Sequence, residues 1–269
     1  MGAGNQQGDP QDGAEDAAQP APIRAHTYLG HFSSFSRPVI LSCDNGKVYV
    51  VKARQPNRPE VSRAMISERV IGGLANAFGA PVPEVGLIDV PNELCAQPEM
   101  NHMMAGVAHG SQYIQNATER ANIAHYDLPE NRRRFSLLAL LYGWAQAGDH
   151  QFIYDKDVPH YVHSVDHGHF FPGGPNWSSA TLDAAIQPAE ADAQLIGACT
   201  LTPAELCEAA ERLGDVGTAA VAVTVSNVPA EWGLTPDERV AMIAFLTRRR
   251  LELIARYGPP ANPAQEQQP

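Results

Sequence analysis

Lys52 ends a β-rich run in which Val48, Val50 and Lys52 fall on one face of a strand. A Lys that continues an apolar face needs a partner. Glu68 stands in the next segment, three residues before Ile71 and seven before Ala75, on the buried stripe of a helix that also carries Leu74 and Phe78. A buried carboxylate is costly unless paired. A strand Lys held by a helix Glu is a fixed positive charge of the kind that grips nucleotide phosphates. Met singly, the same two residues are also ordinary members of a strand and a helix.

Asp149 and Asp166 stand at abrupt boundaries, one directly after Gly148 and the other at a strand end before His167-Gly168. Two carboxylates so presented can bind Mg²⁺ and orient a hydroxyl or water. Asp is equally at home in turns, where it bonds to local backbone. His150, His160, His163, His167 and His169 make a third cluster, and with it a rival reading as a metallohydrolase. Against that rival, His160 and His163 fall on opposite faces of a strand, and no HxxxH pair lies on a helix. Ser33-Ser34-Phe35-Ser36 has no glycine and reads as structural, since no Walker loop occurs in the chain. Ser111 and Ser164 lack the surroundings of a nucleophile elbow. Trp144, Trp177 and Trp232 read as packing aromatics.

The elements that position these residues follow from the pattern. Pro38 to Ser42 and Lys47 to Ala53 are strands, and Asn45-Gly46 between them predicts a type I′ hairpin. A helix runs from Pro59 to about Ala77, where Gly79 and Pro81 stop it. Strands follow in the segment PVPEVGLIDVP and at Gly106 to Ile114. From Pro129 the chain is helical, with Phe135, Leu138, Tyr142 and Ala145 on one face and Gly148 ending the run. Asp149 to Phe171 reads as two short strands around Asp155-Lys156-Asp157. Residues 180 to 256 are mostly helical, with capping Thr202 and Thr235 each before a Pro and an acidic N3 residue. A strand-rich first half and a helix-rich second half predict an α+β fold with two lobes.

The chain has 269 residues, a net charge of −11 and four scattered cysteines. No stretch approaches the roughly 20 apolar residues of a membrane span, and no secretory signal opens the chain. Cysteines without metal or redox spacing fit reduced thiols and a cytoplasmic location. Net negative charge argues against nucleic acid as partner. The basic runs 132–134 and 248–250 lie in helical patterns and read as solvated faces. Residues 1–24 and 258–269 are expected to be disordered tails, too poor in apolar residues to offset ordering entropy.

In this order, VYVVKA (Val48 to Ala53), ISERVIGGLANAFGAPVPEVGLIDV (Ile66 to Val90), GVAHGSQYI (Gly106 to Ile114), GWAQAGDHQFIY (Gly143 to Tyr154), VHSVDHGHFF (Val162 to Phe171) and VPAEW (Val228 to Trp232) resemble the HipA-like kinases, a bacterial family, and within it a compact subgroup. The resemblance spans nearly all of the chain between the tails. It implies a two-lobed protein-kinase-like fold over residues 25–257, with a strand-rich N-lobe to about 116 and a helix-rich C-lobe from 117. It implies ATP and Mg²⁺ in the cleft and phosphoryl transfer to a hydroxyl acceptor, which in characterised members is protein Ser or Thr. Carried over by position, Lys52 corresponds to the phosphate-binding Lys, Glu68 to its helix partner and Asp166 to the metal-binding Asp. Asp149 corresponds to the catalytic Asp. His109 and Ser111 lie in the segment near the interlobe hinge that contacts the nucleotide. The chain departs from the pattern after Asp149: the loop is short, and Gln151 stands where an Asn holds a second metal. That departure keeps a nucleotide-binding pseudokinase in view as the alternative, beside the His-rich metalloenzyme. Toxin function does not carry over, because the chain is shorter than the toxin-type members.

Overall fold

The computed structural model describes residues 21–118 and 122–260. Most of both tails expected to be disordered, residues 1–20 and 261–269, lies outside the described residues. The order of elements is β1 (Ile23–His31), β2 (Val39–Cys43), β3 (Val48–Lys52), α1 (Pro59–Phe78), β4 (Val85–Val90), a single-turn α2 (Asn92–Cys95), β5 (Gly106–Gln112), β6 (Ala117–Thr118), α3 (Pro129–Ala145), β7 (Phe152–Asp155) and β8 (Tyr161–Ser164). A 3₁₀ turn at His167–His169 follows, then α4 (Ser179–Ala184), α5 (Ala193–Cys199), α6 (Pro203–Asp215), α7 (Thr218–Ser226) and α8 (Pro236–Tyr257). The fold is therefore mixed, with strands concentrated early and helices late. No helix among the described residues is long and apolar enough to cross a membrane.

Five strands close a barrel in the order β1-β2-β3-β5-β4, and β6-β7-β8 form a separate sheet. The barrel is antiparallel except at its seam, where β1 runs parallel to β4 through Ile23–Ile88 and Arg24–Asp89. Strand β1 is absent from the sequence reading, and its first two residues fall in the stretch expected to be disordered. Of its nine residues only Ala25 is buried, so no apolar alternation marks it.

Two further expectations are corrected. The hairpin between β2 and β3 is not type I′: Gly46 has φ 76° while Asn45 keeps a negative φ. Asp44, Asn45 and Gly46 form a three-residue loop closed by Cys43 N to Lys47 O at 3.0 Å, with Gly46 in the left-handed position. The Asn45 side chain instead accepts from Lys47 N and donates to Tyr49 Oη. Helix α3 ends at Gln146, which takes the left-handed capping position itself; Gly148 serves a different purpose, described below.

Buried apolar residues fall into two clusters. One fills the barrel around Leu41, Tyr49, Val51 and Ile88. The other joins α1, α3, α6 and α8 through Leu74, Phe135, Trp144, Leu213 and Phe245. Trp144, Trp177 and Trp232 are all buried, as expected of packing residues. The Arg run in α8 does not form a solvated face. Arg249 is 4% exposed and donates to the carbonyls of Gly143 and Trp144, while Arg250 donates to those of Leu213 and Gly214. These are the carbonyl ends of α3 and α6, whose last turns lack intrahelical partners. Arg132 likewise binds Glu205 and the carbonyls of Cys199 and Thr200.

Candidate active site

Strand β3 places Val50 and Lys52 on the outer face of the barrel, because Tyr49 and Val51 turn inward to its core. Helix α1 runs past that face. Its stripe carries Glu68 to the Lys52 ammonium, and both side chains are nearly fully buried. The chain then returns from β8 so that Asp166 Oδ1 lies 2.7 Å from Lys52 Nζ. Asp166 adopts a left-handed backbone, φ 58°, which turns the chain sharply into the 3₁₀ segment. Gly168 allows this segment to press on α1, since a Cβ there would lie 3.0 Å from Ala64 Cβ. Lys52 thus sits between two carboxylates that lie 16 and 114 residues further along the chain.

Burial alone would depress the Lys52 pKa, but the charges of Glu68 and Asp166 outweigh it and hold the ammonium protonated. Burial would raise Glu68, yet the Lys52 charge carries it well below the usual carboxylate range. The second Glu68 oxygen lies 3.7 Å from His167 Nδ1 and 3.8 Å from His109 Nε2. His167 continues into the core through its Nε2 to Ser164 Oγ (2.8 Å), which meets Tyr142 Oη (2.6 Å).

The Asp149 turn joins α3 to β7. Its Oδ1 accepts from His150 N at 2.7 Å and its Oδ2 from Gln151 Nε2 at 2.9 Å. Gln151 is tied to the Asp166 segment through Val165 N to Gln151 O, 3.0 Å. Gly148 lets this turn approach the 3₁₀ segment. His150 is held by Asp192 Oδ2 at 2.9 Å.

The Lys52 cluster and Gln151 border a cavity of about 470 Å³, within the range of small-molecule sites. Lys52, Glu68, Asp166, Gln151, His109 and Ser111 all line it; Asp149 does not, and meets it only through Gln151. The cavity has a charged end at Lys52 and Asp166 and an apolar slot formed by Val50, Val82, Val85, Ile114, Phe152, Ile153 and Val165. His109 pairs across the strands with Lys52, and Ser111 with Val50, so His109 lies at the charged end and Ser111 beside the slot.

Sequence reasoning missed Phe32, Ser33 and Ser34, which cover the cavity from the β1–β2 connection. That connection is pinned from below: Arg58 donates to Phe35 O, and Gln55 to Ser36 O. Its serines read as structural because the segment has no glycine and does not match a Walker loop. The five histidines do not converge. His150 binds Asp192, His160 stacks on His125 at 4.2 Å and His169 meets Phe35 at 6.4 Å. Among the described residues no three His, Cys, Asp or Glu side chains group as metal ligands.

Residues 31–152 match the family model of HipA-like kinases. The resemblance carried by the sequence motifs is thereby borne out. The fold is similar to that of a Helicobacter pylori proinflammatory kinase, CtkA, with a TM-score of 0.58 over 87% of this chain and 94% of that one, at 12% identity. A Golgi casein kinase with Mn/ADP bound matches with a TM-score of 0.40, covering 87% of this chain and 72% of the other at 14% identity. Shewanella oneidensis MR-1 HipA, in its complex with HipB and operator DNA, matches with a TM-score of 0.37, covering 90% and 67% at 13% identity. No curated protein sequence matches the chain. The family match over residues 31–152 and the likeness of the fold to a kinase both support a kinase-like phosphotransferase.

Proposed function

We propose that the chain is an ATP- and Mg²⁺-dependent phosphotransferase of HipA-like type, built as an N-lobe around the barrel and a C-lobe around the helices, with a protein Ser or Thr hydroxyl as acceptor. The observation that carries this reading is the position of Lys52, buried between Glu68 and Asp166 at the charged end of a cavity whose other end is lined by apolar side chains.

The donor set fits a hard divalent cation beside a polyphosphate. Only Oδ1 of Asp166 is engaged by Lys52. The Gln151 amide nitrogen is turned to Asp149, which directs its oxygen the other way. Carboxylate and amide oxygens are the ligands Mg²⁺ prefers. When bound, ATP supplies the phosphoryl group and Mg²⁺ neutralises its charge. Lys52 grips the phosphates, and Glu68 keeps its ammonium from collapsing fully onto Asp166. Asp166 and Gln151 provide metal ligands, Ser111 flanks the base, and the Asp149 carboxylate receives the proton of the acceptor hydroxyl.

One observation favours a second reading, nucleotide binding without transfer: both Asp149 oxygens are already occupied, by His150 N and by Gln151 Nε2. Thermal unfolding with and without ATP plus Mg²⁺, beside Lys52→Ala and Asp166→Ala, tests the shared part. At 100 times Kd the ligand stabilises by about 2.7 kcal/mol. A Mg²⁺-dependent shift that weakens in both variants supports the site, and no shift at saturating nucleotide overturns it. Transfer of labelled phosphate to any acceptor then separates the enzyme from the binding module.

A further inference from the structure

Helix α8 is apolar on two opposite faces. Its inner face, with Met242, Phe245, Leu246 and Leu253, joins the core. On the other side Val240, Ala244, Thr247 and Leu251 follow at spacings of four, three and four, which sets them in one line along the helix. Val240 is 68% exposed and Leu251 55%, and Ala244 is exposed between them. Thr218 of α7 and Ile243 border the line together with Arg248 and Glu252, so that it runs as an open apolar groove. Apolar residues at coiled-coil spacing on the outside of a helix make a seam for a second helix.

The line reads the same in both directions: a large residue, two small ones and a large one. Two such helices crossing antiparallel, with a two-fold axis between Ala244 and Thr247, would set Val240 of each copy against Leu251 of the other. The small pair at the centre would let the helix axes approach to about 8 Å. Charge does not oppose this pairing locally, although the chain carries −11. Arg248 Nη1 lies 3.0 Å from Glu252 Oε1, and the two side chains also bind their own backbone, at Ala185 O and Ala189 N. The flank of the seam is therefore neutral. Residues 1–20 and 261–269 contain no branched aliphatic and no aromatic residue, so neither stretch supplies side chains that would fill the groove.

We infer that α8 is a homodimer seam, on which a second copy of this chain docks antiparallel along Val240, Ala244, Thr247 and Leu251. No residue lining the cavity at Lys52 belongs to α7 or α8, so pairing leaves that cavity open. A seam of about three helical turns buries less than a standard interface, and the dimer is reversible, with a Kd on the order of 10 µM.

The test is analytical ultracentrifugation of the intact chain from about 1 to about 200 µM, at about 0.15 M salt so that the net charge is screened. Wild type should pass from monomer to dimer across that range. Leu251→Glu sets a carboxylate against Val240 of the other copy and should weaken association at least about tenfold. Adding Val240→Lys in the same chain should restore association to within about threefold of wild type, because antiparallel pairing then sets an ammonium against a carboxylate at both ends of the seam. Parallel pairing would instead bring like charges together. Both positions are exposed in the single chain, so neither change should move its melting temperature at about 1 µM by more than about 2 °C. A wild-type chain that stays monomeric at about 200 µM overturns the seam and leaves the groove to a helix of another protein. A dimer that survives Leu251→Glu, or a double variant as weak as Leu251→Glu, overturns it equally.

Discussion

Gly148 lies so close to His169 that a Cβ on Gly148 would stand 2.7 Å from the His169 carbonyl oxygen. This contact seats the Asp149–Gln151 turn against the segment that begins at Asp166. Gly148→Ala should force the two apart, costing about 1–3 kcal/mol of stability and lowering phosphotransfer more than nucleotide binding. Gly197→Ala, in α5 with nothing within 4 Å of the added methyl, should be stabilising by about 0.5–1 kcal/mol. Urea midpoints of the two variants make the comparison; equal effects would refute the seating role.

The Lys52–Glu68 pair lends itself to a double-mutant cycle. Lys52→Met leaves the buried Glu68 and the part-exposed Asp166 without their shared cation, and should destabilise by about 3–5 kcal/mol. Adding Glu68→Leu should return part of that loss, because the uncompensated carboxylate is removed with it. Additive losses in the cycle would mean that the two side chains are not energetically coupled.

The His109 pKa, lowered to about 3 by burial, has a direct pH consequence. Below its unfolded value of about 6.5 the unfolded chain takes up a proton that the folded chain does not, so stability falls with falling pH down to about 3. By pH 5 this single group should have removed about 2 kcal/mol relative to pH 7. His109→Leu should therefore be at least as stable as wild type at pH 7 and lose less on acidification. Parallel stability profiles from pH 7 to pH 4 would contradict the buried neutral ring.

Arg249 ties the carbonyl end of α3 to α8. Arg249→Met keeps the aliphatic bulk but leaves the carbonyls of Gly143 and Trp144 without this donor, and should cost about 2–4 kcal/mol. An exposed substitution on the same helix, Val240→Ala, should change little. Guanidinium unfolding of both variants reads the difference directly.

Much of the positioning frame is legible in the chain because it is written in local chemistry. The β2–β3 hairpin, α1 with Glu68 on its buried stripe, and β7 and β8 about the Asp155 turn lie close to their expected places. Thr202 and Thr235 form the capping boxes that their Pro and Glu neighbours announce. The Lys52–Glu68 pairing is foreshadowed by a strand face and a helix stripe, whereas the arrival of Asp166 beside them follows from the family resemblance and not from spacing. What escaped depends on distant partners. β1 is a strand only because β2 and β4 pair with it, and its exposed faces carry no alternation. Arg249 and Arg250 look like solvent residues until α3 and α6 bring their carbonyl ends to them. Gln146 replaces the expected glycine as helix cap, while Gly148 is reserved for a contact with a segment 21 residues away.

The seam where β1 meets β4 has a practical outcome for any attempt to isolate the segment that carries the family match. That match begins at residue 31, whereas the strand sealing the barrel ends there. Excision at that boundary would strip away β1 and leave the backbone edges of β2 and β4 unpaired. Such open edges recruit strands from neighbouring molecules, so the shortened chain should self-associate. An intact leader through Ile23 keeps the barrel sealed and the protein free of that hazard.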